Sequence, residues 1–195
     1  MERMSSARDR YFMRNALNIS LRGIGNTYPN PSVGVVIVKN NQIISRGWTQ
    51  PGGVPHAEIV ALKKKKFSGA TLYTTLEPCS HYGKSPPCVD RIIKSKIKRV
   101  VIGLKDPNPK VNGKGIKKLR KKKIKISVGI LQNEIKKIHS SFFHKIKKKR
   151  PFVSSKIAVS RNGKMINENK KWITSKDSRM YGNFLRAKFD AVITG

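Results

Sequence analysis

The chain has 195 residues and carries 43 Lys and Arg against 10 Asp and Glu, a formal charge of +33. Such a field attracts polyanions and draws in phosphorylated small molecules. The basic residues are spread along the whole chain, however, with few aromatics between them to stack bases, so they read as a general compositional bias with solvated helix-face lysines; no specific nucleic-acid partner is expected, and an acidic partner is left open. Met1 to Asn15 is charged throughout and has no apolar core, so no signal peptide is expected, and no apolar run is long enough to span a membrane; the expected location is cytoplasmic.

In chain order the pattern predicts a helix from Asp9 to Leu21 and strands from Val33 to Val38 and Gln42 to Gly47. Pro55 then opens a helix from His56 to Lys65, with Ile59, Val60 and Leu62 as its apolar positions. Leu72 alternates with Thr and Tyr in a strand from Thr71 to Leu76, which delivers Glu77-Pro78-Cys79 at its end. Pro86 and Pro87 precede a helix beginning at Cys88, with Val89, Ile92 and Ile93 at helical spacing. The alternation continues with a strand Arg99 to Gly103, a helix Ile116 to Lys121, a strand Lys125 to Val128 and a helix Gln132 to His144. Strands alternating with helices predict an α/β class with a substantially parallel sheet.

Lys145 to Arg150 reads as a basic linker, which divides the chain into residues 1–148 and 149–195. The second part is shorter than the roughly 50 residues at which domains begin. It opens on a strand-like Phe152 to Val159 and closes on a second apparent strand, Asp190 to Thr194.

The chemistry is concentrated between residues 55 and 88, where Pro-His-Ala-Glu is followed by Thr-Leu-Glu-Pro-Cys and Ser-Pro-Pro-Cys. His56, Cys79 and Cys88 are three donors of the kind that hold a catalytic zinc, whose fourth position stays open for water. Glu58 lies two residues after His56, an offset that turns it to another side of a helix, so it suits proton handling better than ligation. Helix N-termini at His56 and Cys88 would favour thiolates at Cys79 and Cys88. A structural zinc would need a fourth ligand, for which His81 is the only nearby candidate. A disulfide between Cys79 and Cys88 would need an oxidising compartment that nothing else in the sequence suggests.

His-x-Glu followed by Pro-Cys and a second Cys resembles the zinc nucleoside and nucleobase deaminases. The eight residues between Cys79 and Cys88, inside T-L-E-P-C-S-H-Y-G-K-S-P-P-C, are similar to the pyrimidine deaminases of riboflavin biosynthesis. So are D-R-Y-F-M-R-N-A-L near the start, P-N-P-S-V-G-V-V-I-V at 29–38 and D-P-N-P-K-V-N-G-K-G at 106–115. R-P-F-V-S-S-K-I-A-V-S at 150–160 and W-I-T-S at 172–175 look like the opening of the reductase that follows in the bifunctional family.

The resemblance implies a three-layer α/β/α cytidine-deaminase-like domain, one zinc per chain, and an incomplete dihydrofolate-reductase-like segment that takes NADPH when complete. It implies that 2,5-diamino-6-(5-phosphoribosylamino)-4(3H)-pyrimidinone is deaminated, with Asn30, Lys84 and Asn108 at substrate-contacting positions; each of the two Asn residues also suits a turn with no ligand. Where the family usually has a His before Pro-His-Ala-Glu, this chain has Thr49. In the reductase segment the matching positions are Lys156, Ala158, Trp172 and Thr174 for the cofactor and Arg186 for the substrate. The family's Ser-Leu-Asp-Gly is here Ser160-Arg161-Asn162-Gly163, and a family Ser is replaced by Lys170. Those changes and the stop at Gly195 point to a fragment or an eroded reductase, with reduction expected only of a full-length chain. A nucleic-acid deaminase acting on tRNA adenosine or cytidine is the alternative that the charge favours and the cysteine spacing opposes. A zinc-stabilised binding protein has no use for Glu58. Oligomeric state is left open, a homo-oligomer included.

Overall fold

A computed structural model of the chain describes residues 7–63, 67–83, 85–165 and 172–194, and these form two compact units, 1–151 and 152–195. In the first, helix α1 (Ala7–Ser20) precedes a hairpin of β1 (Gly34–Lys39) and β2 (Gln42–Trp48). Then follow α2 (Ala57–Ala61), β3 (Thr71–Leu76), α3 (Cys88–Lys94), β4 (Arg99–Leu104), α4 (Lys114–Lys121), β5 (Lys125–Val128), α5 (Gln132–Ile138) and α6 (Ser140–Lys148).

The five strands form one sheet in the order β2-β1-β3-β4-β5. The central strands β1, β3 and β4 are buried almost end to end, as strands covered on both faces must be, and β1 and β4 are near-continuous apolar runs, whereas β2 alternates as an edge strand does. The expected parallel pairing holds for β3, β4 and β5 only, since β1 runs antiparallel to both β2 and β3. Asn40 and Asn41 explain the β1–β2 pairing: both adopt left-handed backbone, φ 48° and 63°, and a two-residue turn of that kind joins antiparallel neighbours.

Two glycines set the layers. Paired residues of adjacent strands point to the same face, so Gly34 with Trp48 faces one side of the sheet and Val35 with Gly47 the other. A Cβ at Gly34 would lie 1.9 Å from the Ala16 carbonyl oxygen of α1, and one at Gly47 would lie 2.3 Å from the Ala57 carbonyl oxygen of α2. Helices α1 and α2 therefore cover opposite faces with their backbones in contact with the sheet. Phe12, Met13, Ala16 and Leu17 fill the core from α1, and Val89 and Ile92 from α3, Leu119 from α4 and Ile135 from α5 complete it.

Two helices and a linker depart from the sequence reading. The helix at His56 ends at Ala61, where Ser45 Oγ and Arg91 Nη2 donate to the carbonyls of Ala61 and Leu62 at 2.6 and 2.9 Å and satisfy the orphan acceptors of its last turn. The helix expected over 132–144 is broken at His139, which closes α5 and opens α6. The expected linker from Lys145 is helical up to Lys148.

In the second unit, α7 (Lys176–Arg186) starts at Ser175, whose Oγ accepts from the Ser178 N–H at 3.1 Å, a regular N-cap. The strands expected at 152–159 and 190–194 do not form. A strand needs a hydrogen-bonded neighbour, and the described residues of this unit offer none, so Val153, Ile157, Val159 and Ile193 stay exposed.

Candidate metal centre

Three elements that begin or end at one place build the site. Strand β3 runs out into Glu77-Pro78-Cys79, α2 starts immediately after His56, and Cys88 is the first residue of α3. One donor atom from each of His56, Cys79 and Cys88 lies within 4.8 Å of the others. His56 Nδ1 faces both sulfurs, at 3.3 Å from Cys88 Sγ and 3.6 Å from Cys79 Sγ. The Cys88 backbone N–H donates to Cys79 Sγ at 3.3 Å, and the Val89 N–H donates to the Cys79 carbonyl at 3.2 Å, so the start of α3 fixes the first cysteine as well as carrying the second.

The electrostatics suit a cation. Cys88's hydrogen bond holds Cys79 toward the thiolate, and His56 adds to this; the same bond together with burial holds Cys88 toward the thiol. The pair thus shares a proton that a bound divalent metal would displace, since ligating cysteines are deprotonated. Cys79 and the Glu58 carboxyl push the His56 pKa up against its burial. One nitrogen and two sulfurs in a half-buried cluster are a zinc donor set, with one position left for water. His81 lies outside that cluster, so the donor set has no fourth side chain from the described residues.

Glu58 is buried beside the donors. Burial, with the Cys79 thiolate adding, pushes its pKa up to about 7, where a carboxyl both accepts and releases protons readily.

A cavity of about 130 Å³ opens onto His56, Glu58 and Cys79, with Asn30, Thr49, His81, Asp106, Asn108 and Phe142 among its walls. Asn30 and Asn108 are thus brought to the site from loops 78 residues apart. Asn30 Nδ2 donates to the Gly53 carbonyl at 2.9 Å and lies 3.5 Å from His56 Nε2. Thr49 Oγ1 accepts from the Val33 N–H at 2.9 Å, so its hydroxyl is turned to the backbone. Lys84 lies outside the described residues. Asp106, Glu77 and Phe142 are wall residues that sequence reasoning missed; Asp106 was quoted only as part of a motif, and Phe142 arrives on α6 with no local signal. Burial, with the nearby Glu77 and Cys79 charges adding, pushes the Asp106 pKa up to about 6.

The second unit has its own cavity, about 530 Å³, lined by Lys156, Ala158 and Thr174 with Asp177, Ser178 and Tyr181. Trp172 is not in that lining and stacks under the Arg179 guanidinium, 4.7 Å from its ring centre. Arg186 is also outside it, exposed and bonded to Asn183 Oδ1 at 2.7 Å.

Comparison with known proteins bears on this geometry. Over 191 residues the chain is 44% identical to the riboflavin biosynthesis protein RibD of Aquifex aeolicus, a match that takes in 96% of this chain and 54% of that protein. Against the RibD of Escherichia coli it is 40% identical over 190 residues, 95% of this chain and 52% of the other. A crystal structure from Thermotoga maritima, described as a diaminohydroxyphosphoribosylaminopyrimidine deaminase/5-amino-6-(5-phosphoribosylamino)uracil reductase, superposes with a TM-score of 0.86. That match has 42% identity and covers 92% of this chain and 53% of that one. The chain therefore spans about half the length of the relatives it matches. The cytidine and deoxycytidylate deaminase zinc-binding region matches residues 6–104, the stretch that contains α1, His56, Glu58, Cys79 and Cys88. By that match, over half of its length and across the whole donor cluster, the chain belongs to the zinc-binding cytidine and deoxycytidylate deaminase family.

Proposed function

We propose that the chain hydrolyses the exocyclic amine of 2,5-diamino-6-(5-phosphoribosylamino)-4(3H)-pyrimidinone, giving 5-amino-6-(5-phosphoribosylamino)uracil and ammonia, as a step of riboflavin biosynthesis. The observation that carries this reading is a His56, Cys79, Cys88 donor set beside a buried Glu58, in a chain 44% identical over 191 residues to a riboflavin biosynthesis protein.

His56, Cys79 and Cys88 would hold zinc, which would supply a water acidic enough to act as nucleophile near neutral pH. The chain's own residues do the rest. Glu58 takes one proton of the attacking water and passes it to the ring nitrogen beside the attacked carbon, then takes the remaining hydroxyl proton from the tetrahedral adduct and hands it to the departing amine. One C–N bond breaks, one C–O bond forms, and the carbonyl that remains is balanced by ammonia. The walls at Leu76, Val111 and Phe142 keep bulk water from the reacting face. Asn30 and Asn108 orient the ring through their amides. By the resemblance Lys84 receives the ring oxygen or the phosphate, a task its point charge suits.

A cavity of about 130 Å³ is roughly four water volumes, room for a single ring, which leaves the ribosyl phosphate outside it. NADPH-dependent reduction is proposed only for a longer polypeptide that carries these residues, since 152–159 and 190–194 form no strands here. Ammonia release from the phosphorylated pyrimidine by purified protein is the direct test. Deamination of tRNA or single-stranded DNA at physiological salt, in preference to the free pyrimidine, would overturn it.

A further inference from the structure

Glu77 is two residues before Cys79 and 4% exposed, yet it is neither a donor to the metal cluster nor a partner of any side chain in the bonds around it. Its carboxyl is occupied by backbone from another part of the chain. Oε2 accepts from the Gly113 N–H at 2.9 Å and, at 3.4 Å, from the Asp106 N–H; Oε1 accepts from the Ile116 N–H at 3.2 Å. These donors bracket the loop from Asp106 to Gly113 and the first turn of α4. A side chain from β3's end thus caps a helix 36 residues away, a place where backbone N–H groups are otherwise orphaned and a negative group is favoured.

Two further features keep the loop in this relation. Gly113 turns into α4 at φ +82°, and a Cβ on Gly115 would meet the Pro78 carbonyl oxygen at 2.3 Å, so the helix start is pressed against Glu77-Pro78 itself. Within the loop, Asp106 Oδ1 accepts from the Asn108 N–H at 2.8 Å, an Asx turn that sets where Asn108 stands. Asp106 and Asn108 are both cavity walls.

We infer that Glu77 is a positioning residue for substrate binding: it ties the Asp106–Asn108 wall of the cavity to the strand end that carries the metal ligand Cys79. This rests on the deaminase reading for its kinetic part and on geometry alone for its structural part. Both carboxyl oxygens accept, so Glu77→Gln must set its NH₂ against at least one backbone N–H, whereas Glu77→Asp keeps two acceptors on a shorter arm.

Four variants test it: Glu77→Gln, Glu77→Asp, Asn108→Ala, and Glu77→Gln combined with Asn108→Ala. For each, zinc content, amide hydrogen exchange at Asp106, Gly113 and Ile116, and KM and kcat for the phosphorylated pyrimidine are measured. Glu77→Gln is expected to keep zinc, to lose exchange protection at the three amides, and to raise KM about tenfold while kcat changes less, the scale of one lost charge-assisted hydrogen bond. Glu77→Asp should recover part of both, and the double variant should be no worse in KM than the poorer single one, because Glu77 acts through the Asn108 wall. Loss of zinc in Glu77→Gln, unchanged exchange, or additive KM effects would each overturn the inference. If the unsubstituted protein releases no ammonia, the deaminase reading fails by itself, and the exchange measurement still decides whether Glu77 holds the loop.

Discussion

Asp9 on α1 holds Arg99 at the start of β4 through both guanidinium nitrogens, Nη1 to Oδ1 at 2.8 Å and Nη2 to Oδ2 at 2.7 Å. Tyr73 of the intervening β3 donates its hydroxyl to the same carboxyl at 2.9 Å, and Arg99 Nη2 also reaches Ser127 Oγ of β5 at 2.9 Å. One buried carboxyl therefore ties a covering helix to three strands. Burial alone would raise the Asp9 pKa, but the Arg99 and Tyr73 hydrogen bonds outweigh it and hold the pKa below the ordinary carboxylate value. A lowered pKa gives stability that is present above the unfolded value and lost as pH falls through the folded one. Asp9→Ala leaves a partly buried guanidinium and a buried phenol unpaired, and should cost about 3 kcal/mol in urea unfolding at neutral pH, with the difference shrinking below pH 4. Wild-type stability in that variant would show the network to be energetically idle.

The metal and its acid separate under mutation. Purified protein should carry about one zinc per chain by elemental analysis. Glu58→Gln should retain the metal and lose deamination by about a hundredfold or more, the usual worth of a proton-transfer group. Cys88→Ser should lose both. Stoichiometric zinc in Cys88→Ser would mean that the donor set is wrong, and an active Glu58→Gln would remove Glu58 from proton transfer.

His139 predicts an acid limb in stability. It is buried between α5 and α6, its Nε2 has no hydrogen-bond partner among the described residues, and burial lowers its pKa to about 4. The unfolded chain, with an ordinary value near 6.5, binds more protons between those limits, so stability must fall as pH drops from about 6.5 toward 4 and level off below. The full span is worth up to about 3 kcal/mol. His139→Leu should flatten that limb in a series of melting temperatures; an unchanged slope would assign the acid loss to other groups.

The second unit should fail as a reductase by itself. Val153, Ile157, Val159 and Ile193 are exposed, and the described residues supply one helix and no strand. A protease should therefore cut within 152–195 before it cuts unit 1, and the 195-residue polypeptide should not oxidise NADPH in the presence of the deaminated product. NADPH consumption at a rate matching deamination would contradict this.

What could be read from the sequence divides by range. Periodicity located ten elements of the first unit because each needs only its own residues, and His56, Glu58, Cys79 and Cys88 stand in short motifs whose residue types announce a metal and a proton carrier. Features that depend on a distant partner were not legible. The early end of α2 depends on Ser45 and Arg91, the capping of α4 on Glu77, and the Asp9 network on residues up to 118 positions away. The second unit was misread for the converse reason: Phe152 to Val159 has a strand's composition, but composition does not supply a neighbour to bond with.

The contact of Gly47 with α2 gives the site a fulcrum away from the chemistry. Helix α2 has five residues, too few to be rigid alone, and it carries His56 at its cap and Glu58 in its first turn. Its axis is pressed against the bare backbone of β2, so the separation between the imidazole and the two sulfurs is gauged by the thickness of a missing methyl group. A side chain at position 47 would act as a shim, lifting ligand and acid together while every residue in the cavity remained intact. Loss of metal from a chain with an unaltered donor set is the failure that such a variant would display.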